Sequence, residues 1–500
     1  MIESDRGCSF DTEKIAKKGA IWKYNPFCTR FFKKVFIMNH LDTIAAISTP
    51  YGKGGIAVIR VSGSGAIGVA EKVFEPKSKK QLSEVDSNRA VYGSIYSSKN
   101  GEKSAIDDGI AVIFRAPASF TGEDTVEISC HGGVLLTQRV LEALLYSGAR
   151  AATAGEFTRR AFINGKMTLT SAEALGELLS ASTDEQITLA RSGLSGKLSC
   201  ELSAVYDSLC DILAAIYAKI DYPDEDLADI SRDEMLASAE KSLSTLKNLA
   251  KTYTTGHAVG EGIQTAIVGR TNVGKSTLYN MIVGRDAAIV TDIEGTTRDI
   301  LTESAKLGMV TLRLSDTAGL RDTSDRVETI GIERARRTAE TAELILAVFD
   351  GSRAPDSEDI ELCEYLSTLN GTKIAIINKS DLGVTKEMRD LTSVFELAIP
   401  FSAKNGDGFS ALAQAVEQIY IDKDFDMGNS AIIANARQNS ALLSSIDTLS
   451  EAISSIQNEL PLEVCCVEIE NSLSSLGELD GRTVSEDIIS KIFANFCVGK

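Results

Sequence analysis

The sequence predicts a multidomain chain of mixed α/β and α+β class, in which a P-loop α/β domain is inserted into an α-helical domain and an α+β domain precedes both. Three observations predict it. A phosphate-loop pattern, GxxxxGK[ST], runs from Gly269 to Ser276 directly after a short apolar run, Ile263 to Val268, which is the strand-then-loop setting the motif requires. Helical periodicity occupies the chain on both sides of that region, from Leu169 to about Thr255 and again from about Asp422. Short, glycine-punctuated apolar runs of strand length fill the chain from Asp42 to about residue 165.

Composition sets the outer bounds. Five hundred residues with 43% hydrophobic content allow two to four domains. No apolar run reaches the ~18 residues that span a bilayer, so the chain reads as soluble with no membrane partner. Lys plus Arg number 52 against 70 Asp plus Glu, a net charge of −18, which excludes wholesale electrostatic capture of nucleic acid or anionic membrane and leaves room for a local basic face. Nine scattered cysteines show no CxxC pair, which fits a reducing cytoplasm.

In chain order, residues 1–37 carry eight Lys/Arg and four Asp/Glu and no sustained apolar core. They read as an extension without a fold of its own, with a start at Met38 as one reading and a short helical anchor over Phe31 to Met38 as another. Strands are expected at Thr43 to Ile47, Ile56 to Val61, Val91 to Ile95, Ile110 to Phe114 and Thr125 to Cys130, giving a compact α+β domain over 38–165. Residues 166–262 form the first helical part. Within it Leu202, Val205, Leu209, Leu213, Ile216 and Ile220 mark a long amphipathic helix, read as core packing or a dimer seam, which ends at Asp221-Tyr222-Pro223-Asp224. Ser231 with Glu234 forms a capping box for the next helix. The P-loop domain covers 263–421, and 422–500 return to helix through Leu442 to Ile456 and Leu462 to Leu476. A last helix is expected to start from a box of Thr483 with Glu486.

Four motifs in order define the nucleotide. Gly269 and Gly274 let backbone N–H groups turn inward around phosphate oxygens, and the following helix adds its positive N-terminal end. Asn272, Val273, Gly274, Lys275, Ser276 and Thr277 make up the contact, with Lys275 reaching the β and γ phosphates and the Ser276 hydroxyl holding Mg²⁺. Between Ala287 and Asp299, Thr296 or Thr297 supplies the threonine that caps Mg²⁺ and senses the γ-phosphate. After the strand Thr311 to Ser315 come Asp316-Thr317-Ala318-Gly319, where Asp316 can hold Mg²⁺ through water and the Gly319 N–H can meet the γ-phosphate. Lys373 to Ile377 lead into Asn378-Lys379-Ser380-Asp381, whose Asp carboxylate matches the paired N–H donors of guanine, and Ser402-Ala403-Lys404 backs the guanine O6. The nucleotide is therefore GTP. Leu320 follows Gly319 where many GTPases place a water-orienting Gln, so another group must position the water; Arg270, Arg298 and Arg321 are the arginines close enough in sequence to act as a finger.

The motif set resembles the MnmE (TrmE) family of tRNA-modification GTPases. The likeness runs from Leu41 to Lys500 through Tyr51-Gly52-Lys53-Gly54-Gly55-Ile56 with Arg60, Phe120-Thr121-Gly122-Glu123-Asp124, His131-Gly132-Gly133, Gly155-Glu156-Phe157-Thr158, the nucleotide motifs and the terminal Phe496-Cys497-Val498-Gly499-Lys500. The resemblance implies a Ras-like P-loop GTPase domain inserted into an α-helical domain, preceded by an α+β tetrahydrofolate-binding and dimerisation domain, in a homodimer. It implies K⁺ near the phosphates, held by Asn272, Thr291, Ile293 and Thr296. The GTP-binding loop then runs through Thr291, Asp292, Ile293, Glu294, Gly295, Thr296 and Thr297, with Thr297 on Mg²⁺. It makes Glu328 the water-positioning catalytic residue beside Lys275, and Arg60, Glu127, Lys166 and Lys500 the contacts of 5-formyltetrahydrofolate or another one-carbon tetrahydrofolate. It also implies action on tRNA, jointly with the FAD-containing partner MnmG (GidA) in a heterotetramer, to place a carboxymethylaminomethyl or aminomethyl group on C5 of the wobble uridine.

Departures and open alternatives accompany this. Thr153-Ala154 stand where the family commonly has Arg-Pro, and residues 1–37 have no family counterpart. Cys497 reads either as a nucleophile beside the folate or as a small buried packing residue. Cys130-His131 lacks a second ligand pair and reads as a packed turn rather than a zinc site. The competing functions are a GTP-dependent RNA-binding ribosome-assembly factor and a switch that only recruits partners.

Overall fold

The computed structural model describes residues 42–99, 102–221, 231–285, 302–315, 337–422 and 426–499. It separates into two compact units: one runs to Gly176 and takes in the stretch from Asp480 onward, and the other is Glu177–Leu479.

The first unit is built on a seven-stranded sheet: β1 (Ile44–Ile47), β2 (Ile56–Ser62), β3 (Phe74–Pro76), β4 (Ala90–Lys99), β5 (Glu102–Phe114), β6 (Thr125–His131) and β7 (Arg150–Ala151), in the order β3-β4-β5-β6-β2-β1-β7. All neighbours are antiparallel except β1 and β7. Each of the five expected strands is present. β4 and β5 run longer than their apolar cores because the hairpin ladder carries through polar residues, and β3 and β7 are too short to show alternation. Period-two alternation sends Ile59, Val61, Val126 and Ile128 into a core with Val140 and Leu144, covered by α1 (Ala66–Val73) and α2 (Val134–Tyr146). The same alternation leaves Arg60 and Glu127, which are register partners, on the opposite face.

α3 (Glu156–Ile163) follows, and α4 (Leu169–Ser180) begins in this unit. Leu169 and Ala172 pack with Val484, Ile489 and Phe493, so the C-terminal helix Glu486–Ala494 shares their core. The start of that helix differs from the expected box. Its N-cap is Ser485, two residues beyond Thr483, and the Glu486 carboxylate is drawn to Arg159 instead of back to the helix start. Beyond it the chain lies against β1 and the start of α3: Ala154 bridges Val498, and Ser48 Oγ donates to the Gly499 carbonyl at 3.1 Å.

The second unit combines helices and a nucleotide-type sheet. α5 (Asp184–Leu194), α6 (Lys197–Asp221), α7 (Arg232–Lys251) and α8 (Tyr253–Val259) precede the sheet in sequence. The expected long helix is α6, described to Asp221; Tyr222, Pro223 and Asp224 of its expected end lie outside the described residues. Its buried face is Leu202, Val205, Leu209, Ile212 and Ile216, the i, i+3, i+4 series, while Leu213 and Ile220 flank that stripe partly buried. The Ser231–Glu234 capping box opens α7 as expected.

The sheet order is β13-β12-β11-β8-β10-β9, from β8 (Ile263–Gly269), β9 (Thr302–Leu307), β10 (Val310–Ser315), β11 (Leu344–Asp350), β12 (Thr372–Asn378) and β13 (Leu397–Pro400). All neighbours are parallel except β9 against β10. Around it lie α9 (Lys275–Arg285), α10 (Ser357–Ser367), α11 (Lys386–Thr392) and α12 (Phe409–Tyr420). The chain then returns to helix in α13 (Ala436–Gln457) and α14 (Leu462–Asp480). Residues of α6, α7, α13 and α14 form one core, including Leu209, Leu246, Leu449 and Ile469, so the helical stretches on either side of the sheet domain are a single packed body. Among the described residues no helix is long and apolar enough to cross a membrane.

Candidate functional site

In a parallel sheet the loops at the carboxyl ends of the strands make the ligand crevice, and β8, β12 and β13 deliver their motifs there. β8 ends at Gly269 with φ 152°, Asn272 is left-handed at φ 61°, and Gly274 has φ 103°. Asn tolerates that region better than other side chains. A Cβ on Gly274 would lie 2.1 Å from Asn378 Nδ2, so the phosphate loop has room only for glycine there. Lys275 and Ser276 open α9, which places both at a helix N-terminus. Lys275 Nζ donates to the carbonyls of Gly269 (2.8 Å) and Arg270 (2.5 Å), and burial pushes its pKa down to about 8. A half-buried ammonium at this helix start fits the β and γ phosphates, whose charge would restore its protonated form.

The base motif closes on that loop. Asn378, buried at the end of β12, donates through Nδ2 to the Val273 carbonyl at 2.6 Å and accepts the Ala403 N–H on Oδ1 at 2.9 Å. Lys379 is left-handed, and its Nζ reaches Asp350 Oδ2 at 2.7 Å. Ser380 opens a short 3₁₀ turn, and the buried Ser402 hydroxyl donates to Asp381 Oδ1 at 2.8 Å, orienting that carboxylate. Lys404 is exposed beside it. The structure thus brings together Asn272 to Thr277, Asn378 to Asp381 and Ser402 to Lys404. Of the arginines near the loop, Arg270 is engaged elsewhere: its guanidinium pairs with Asp356 and Glu358 at the start of α10. Thr291, Asp292, Ile293, Glu294, Gly295, Thr296, Thr297, Asp316, Thr317, Ala318, Gly319, Leu320, Glu328, Arg298, Arg321 and Lys500 lie outside the described residues.

In the first unit Arg60 and Glu127 meet across β2 and β6, with Arg60 Nε donating to Glu127 Oε1 at 2.8 Å. The Arg60 guanidinium also lies 5.4 Å from the Phe120 ring and 5.6 Å from the Phe157 ring. Phe157 is fully buried whereas Phe120 is exposed, so a flat heterocycle could meet only the Phe120 ring, beside the Arg60–Glu127 pair. Lys166 is exposed, and its Nζ donates to the Pro117 carbonyl. Cys497 is exposed, which removes the buried-packing reading, and its carbonyl accepts the Gly155 N–H. Cys130 is buried at the end of β6 and His131 is exposed beside Asp107, so this pair ends a strand and does not form a packed turn.

Sequence reasoning missed an ion cluster. Arg160, 1% exposed, is held by Asp42, Glu123 and Glu156, and Glu156 also binds Arg150 and the Thr153 N–H. Burial opposes ionisation of Glu156, but Arg150, Thr153 and Arg160 outweigh it and hold its pKa at about 2. Glu123 and Glu156 each stand in a motif that carried the resemblance, so these two motif residues hold the architecture of the unit together. The signal available in sequence was the opposite-charge i, i+4 pair of Glu156 and Arg160 at the start of one helix.

A mainly parallel sheet whose strand ends carry a phosphate loop locked to an NKxD loop defines a P-loop GTPase. Family models match in two places: the GTP-binding protein TrmE N-terminus over residues 43–166, and the MnmE helical domain over 169–497. The tRNA modification GTPase MnmE of Lactobacillus johnsonii is 38% identical over 93% of this chain and 99% of its own length. That of Alkaliphilus oremlandii is 39% identical over 92% of this chain and 99% of its own. Among solved structures the chain is similar to a point variant of Aquifex aeolicus Era bound to GDP·AlF4⁻, 25% identical over 37% of this chain and 65% of that one, with a TM-score of 0.25. The chain belongs to the MnmE family of tRNA modification GTPases, and it is a GTP hydrolase.

Proposed function

We propose that this chain is the GTP-hydrolysing subunit of a complex that modifies C5 of the wobble uridine of tRNA, working as a homodimer in the cytoplasm with an FAD-containing MnmG-type partner. The observation that carries the reading is likeness to tRNA modification GTPases along 93% of the chain, with the phosphate and base loops closed on each other. In this reading 38–165 bind the one-carbon tetrahydrofolate, 263–421 hydrolyse GTP, and 166–262 with 422–500 form the helical domain.

Lys275 binds the β and γ phosphates, Ser276 and Thr297 hold Mg²⁺, and Asp381 reads guanine with Ser402 fixing its carboxylate. Asn272, left-handed and exposed, would offer its side-chain amide as a ligand for K⁺ together with Thr291, Ile293 and Thr296. The two cations supply positive charge where it develops between the β and γ phosphates. Glu328 orients the attacking water in place of the Gln that Leu320 replaces. Arg60, Glu127, Lys166 and Lys500 hold the folate, which supplies the one-carbon unit.

The test is twofold. Wobble-uridine C5 modification should disappear from tRNA of cells lacking the protein and return with the wild-type gene but not with Lys275→Ala; unchanged tRNA in the deleted strain would refute the function. Single-turnover GTP hydrolysis should be faster in K⁺ than in Na⁺ at equal ionic strength, and Glu328→Ala should slow it with GTP affinity nearly unchanged. Equal rates in both salts would remove the K⁺ site from the mechanism.

A further inference from the structure

We propose that the turn after β11, from Asp350 to Glu358, is a positioning device for both nucleotide loops, and that the Arg270–Glu358 pair is the part of it that sets the phosphate loop. It rests on the assignment of those loops to GTP made above.

The turn grips the base loop at two points. Asp350 Oδ2 accepts the Lys379 ammonium at 2.7 Å, and the Gly351 N–H donates to the Asn378 carbonyl at 2.8 Å. The other Asp350 oxygen accepts the Ser352 N–H and hydroxyl, at 3.0 and 2.6 Å, so the carboxylate that orients Lys379 is itself fixed.

Its far end grips the phosphate loop. Arg270 Nε donates to Glu358 Oε2 at 2.5 Å, and Nη1 pairs with Asp356. Asp356 is also the N-cap of α10, its Oδ1 accepting the Glu358 and Asp359 N–H groups. Arg353 joins Asp356 Oδ2 (3.1 Å) to Asp359 Oδ2 (2.8 Å), and Asp359 is fully buried. The anchor under Arg270 therefore has a fixed part, the Asp356 cap of α10, and a more exposed part, the Glu358 carboxylate, whose backbone that cap holds.

The backbone of Arg270 completes the link, because its carbonyl accepts Lys275 Nζ at 2.5 Å. Fixing the Arg270 side chain fixes the peptide that aims the phosphate-binding ammonium. A fork-shaped guanidinium on two carboxylates defines orientation better than a lysine could. Exposed pairs contribute up to about 1 kcal/mol, which is roughly a fivefold change in affinity when it is felt in binding.

The experiment uses the full chain and a fluorescent GDP analogue, with single-turnover hydrolysis at saturating GTP measured alongside. Arg270→Ala and Glu358→Ala should each weaken GDP binding roughly two- to fivefold, and the double variant should be no weaker than the worse single one, as expected of residues acting as a unit. Arg270→Lys should recover part of the affinity. Hydrolysis at saturation should stay within about twofold of wild type for both single variants, and thermal midpoints within about 2 °C. Unchanged GDP affinity in Arg270→Ala overturns the proposal. So does slowed hydrolysis at saturation in Arg270→Ala but not in Glu358→Ala, which would make Arg270 a direct participant. Lys275→Ala serves as the control: if it binds GDP as wild type does, the nucleotide-site assignment fails, and the proposal falls with it.

Discussion

Asn378 Nδ2 donates to the carbonyl of Val273, 105 residues earlier in the chain, across 2.6 Å inside the protein. The bond makes the guanine loop and the phosphate loop one object, because the same side chain accepts the Ala403 N–H on its other atom. Asn378→Asp keeps the acceptor and removes the donor, leaving a carboxylate facing a carbonyl oxygen in a buried site. An unsatisfied buried group costs about 1–3 kcal/mol, so GDP affinity should fall at least about fivefold. Equilibrium binding of a fluorescent GDP analogue checks it; an unchanged affinity would show that the two loops hold their geometry independently.

Gly274→Ala tests the same contact from the other side. Its φ of 103° disfavours any side chain, and a Cβ would meet Asn378 Nδ2 at 2.1 Å. Both effects act on the loop alone, since β8 and α9 on either side pack through other residues. The variant should fold, with circular dichroism like wild type, and should lose detectable GTP binding and hydrolysis. Retained hydrolysis would mean that the loop relaxes around the methyl group.

How much of this is legible in the sequence depends on what each feature is made of. Lys275, Asn378 and Asp381 sit in motifs whose spacing follows from backbone geometry, so the sequence displays them directly. The strand runs are legible because alternation or continuous apolarity marks them, as in Ile59 and Val61 against Arg60. β11 is marked in the same way, by six consecutive apolar residues from Leu344 to Phe349, although it carries no nucleotide motif. The pairings of Arg270 with Glu358 and of Arg160 with Asp42 and Glu123 are invisible because these partners are distant in sequence, and only the fold brings such charges together. The Thr483–Glu486 box fails because local capping competes with tertiary pairing, and Arg159 takes the Glu486 carboxylate.

Glu156 carries the largest stake in the first unit. Its pKa lies near 2 against an ordinary 4.5, so it contributes stability that is fully present above pH 4.5 and is lost as the pH falls through about 2. Glu156→Gln should destabilise the unit by about 3–5 kcal/mol, because it leaves the buried Arg160 short of a countercharge. Thermal unfolding between pH 3 and 7 checks it. The gap between wild type and variant should narrow toward the acid end, and a gap constant across that range would assign the loss to packing.

His257 gives the opposite sign in the second unit. It stands on α8, with Nδ1 2.9 Å from Glu261 and Nε2 3.2 Å from Glu343, the residue before β11, and its ring stacks on Tyr253. The bonds to Glu261 and then to Glu343 raise its pKa to about 9 from an ordinary 6.5, against the opposing effect of burial. Its charged form is the one the fold prefers, so its contribution is fully present below pH 6.5 and declines as the pH rises through about 9. The carboxylates are 36% and 44% exposed, and solvent screening limits the effect to on the order of 1–2 kcal/mol. His257→Gln keeps the hydrogen-bonding shape and removes the charge. Urea denaturation of wild type and variant should therefore differ most at pH 6 and converge by pH 10. Parallel curves at every pH would mean that the ring acts through its stacking on Tyr253 and its fit between α8 and β11, with the proton contributing nothing.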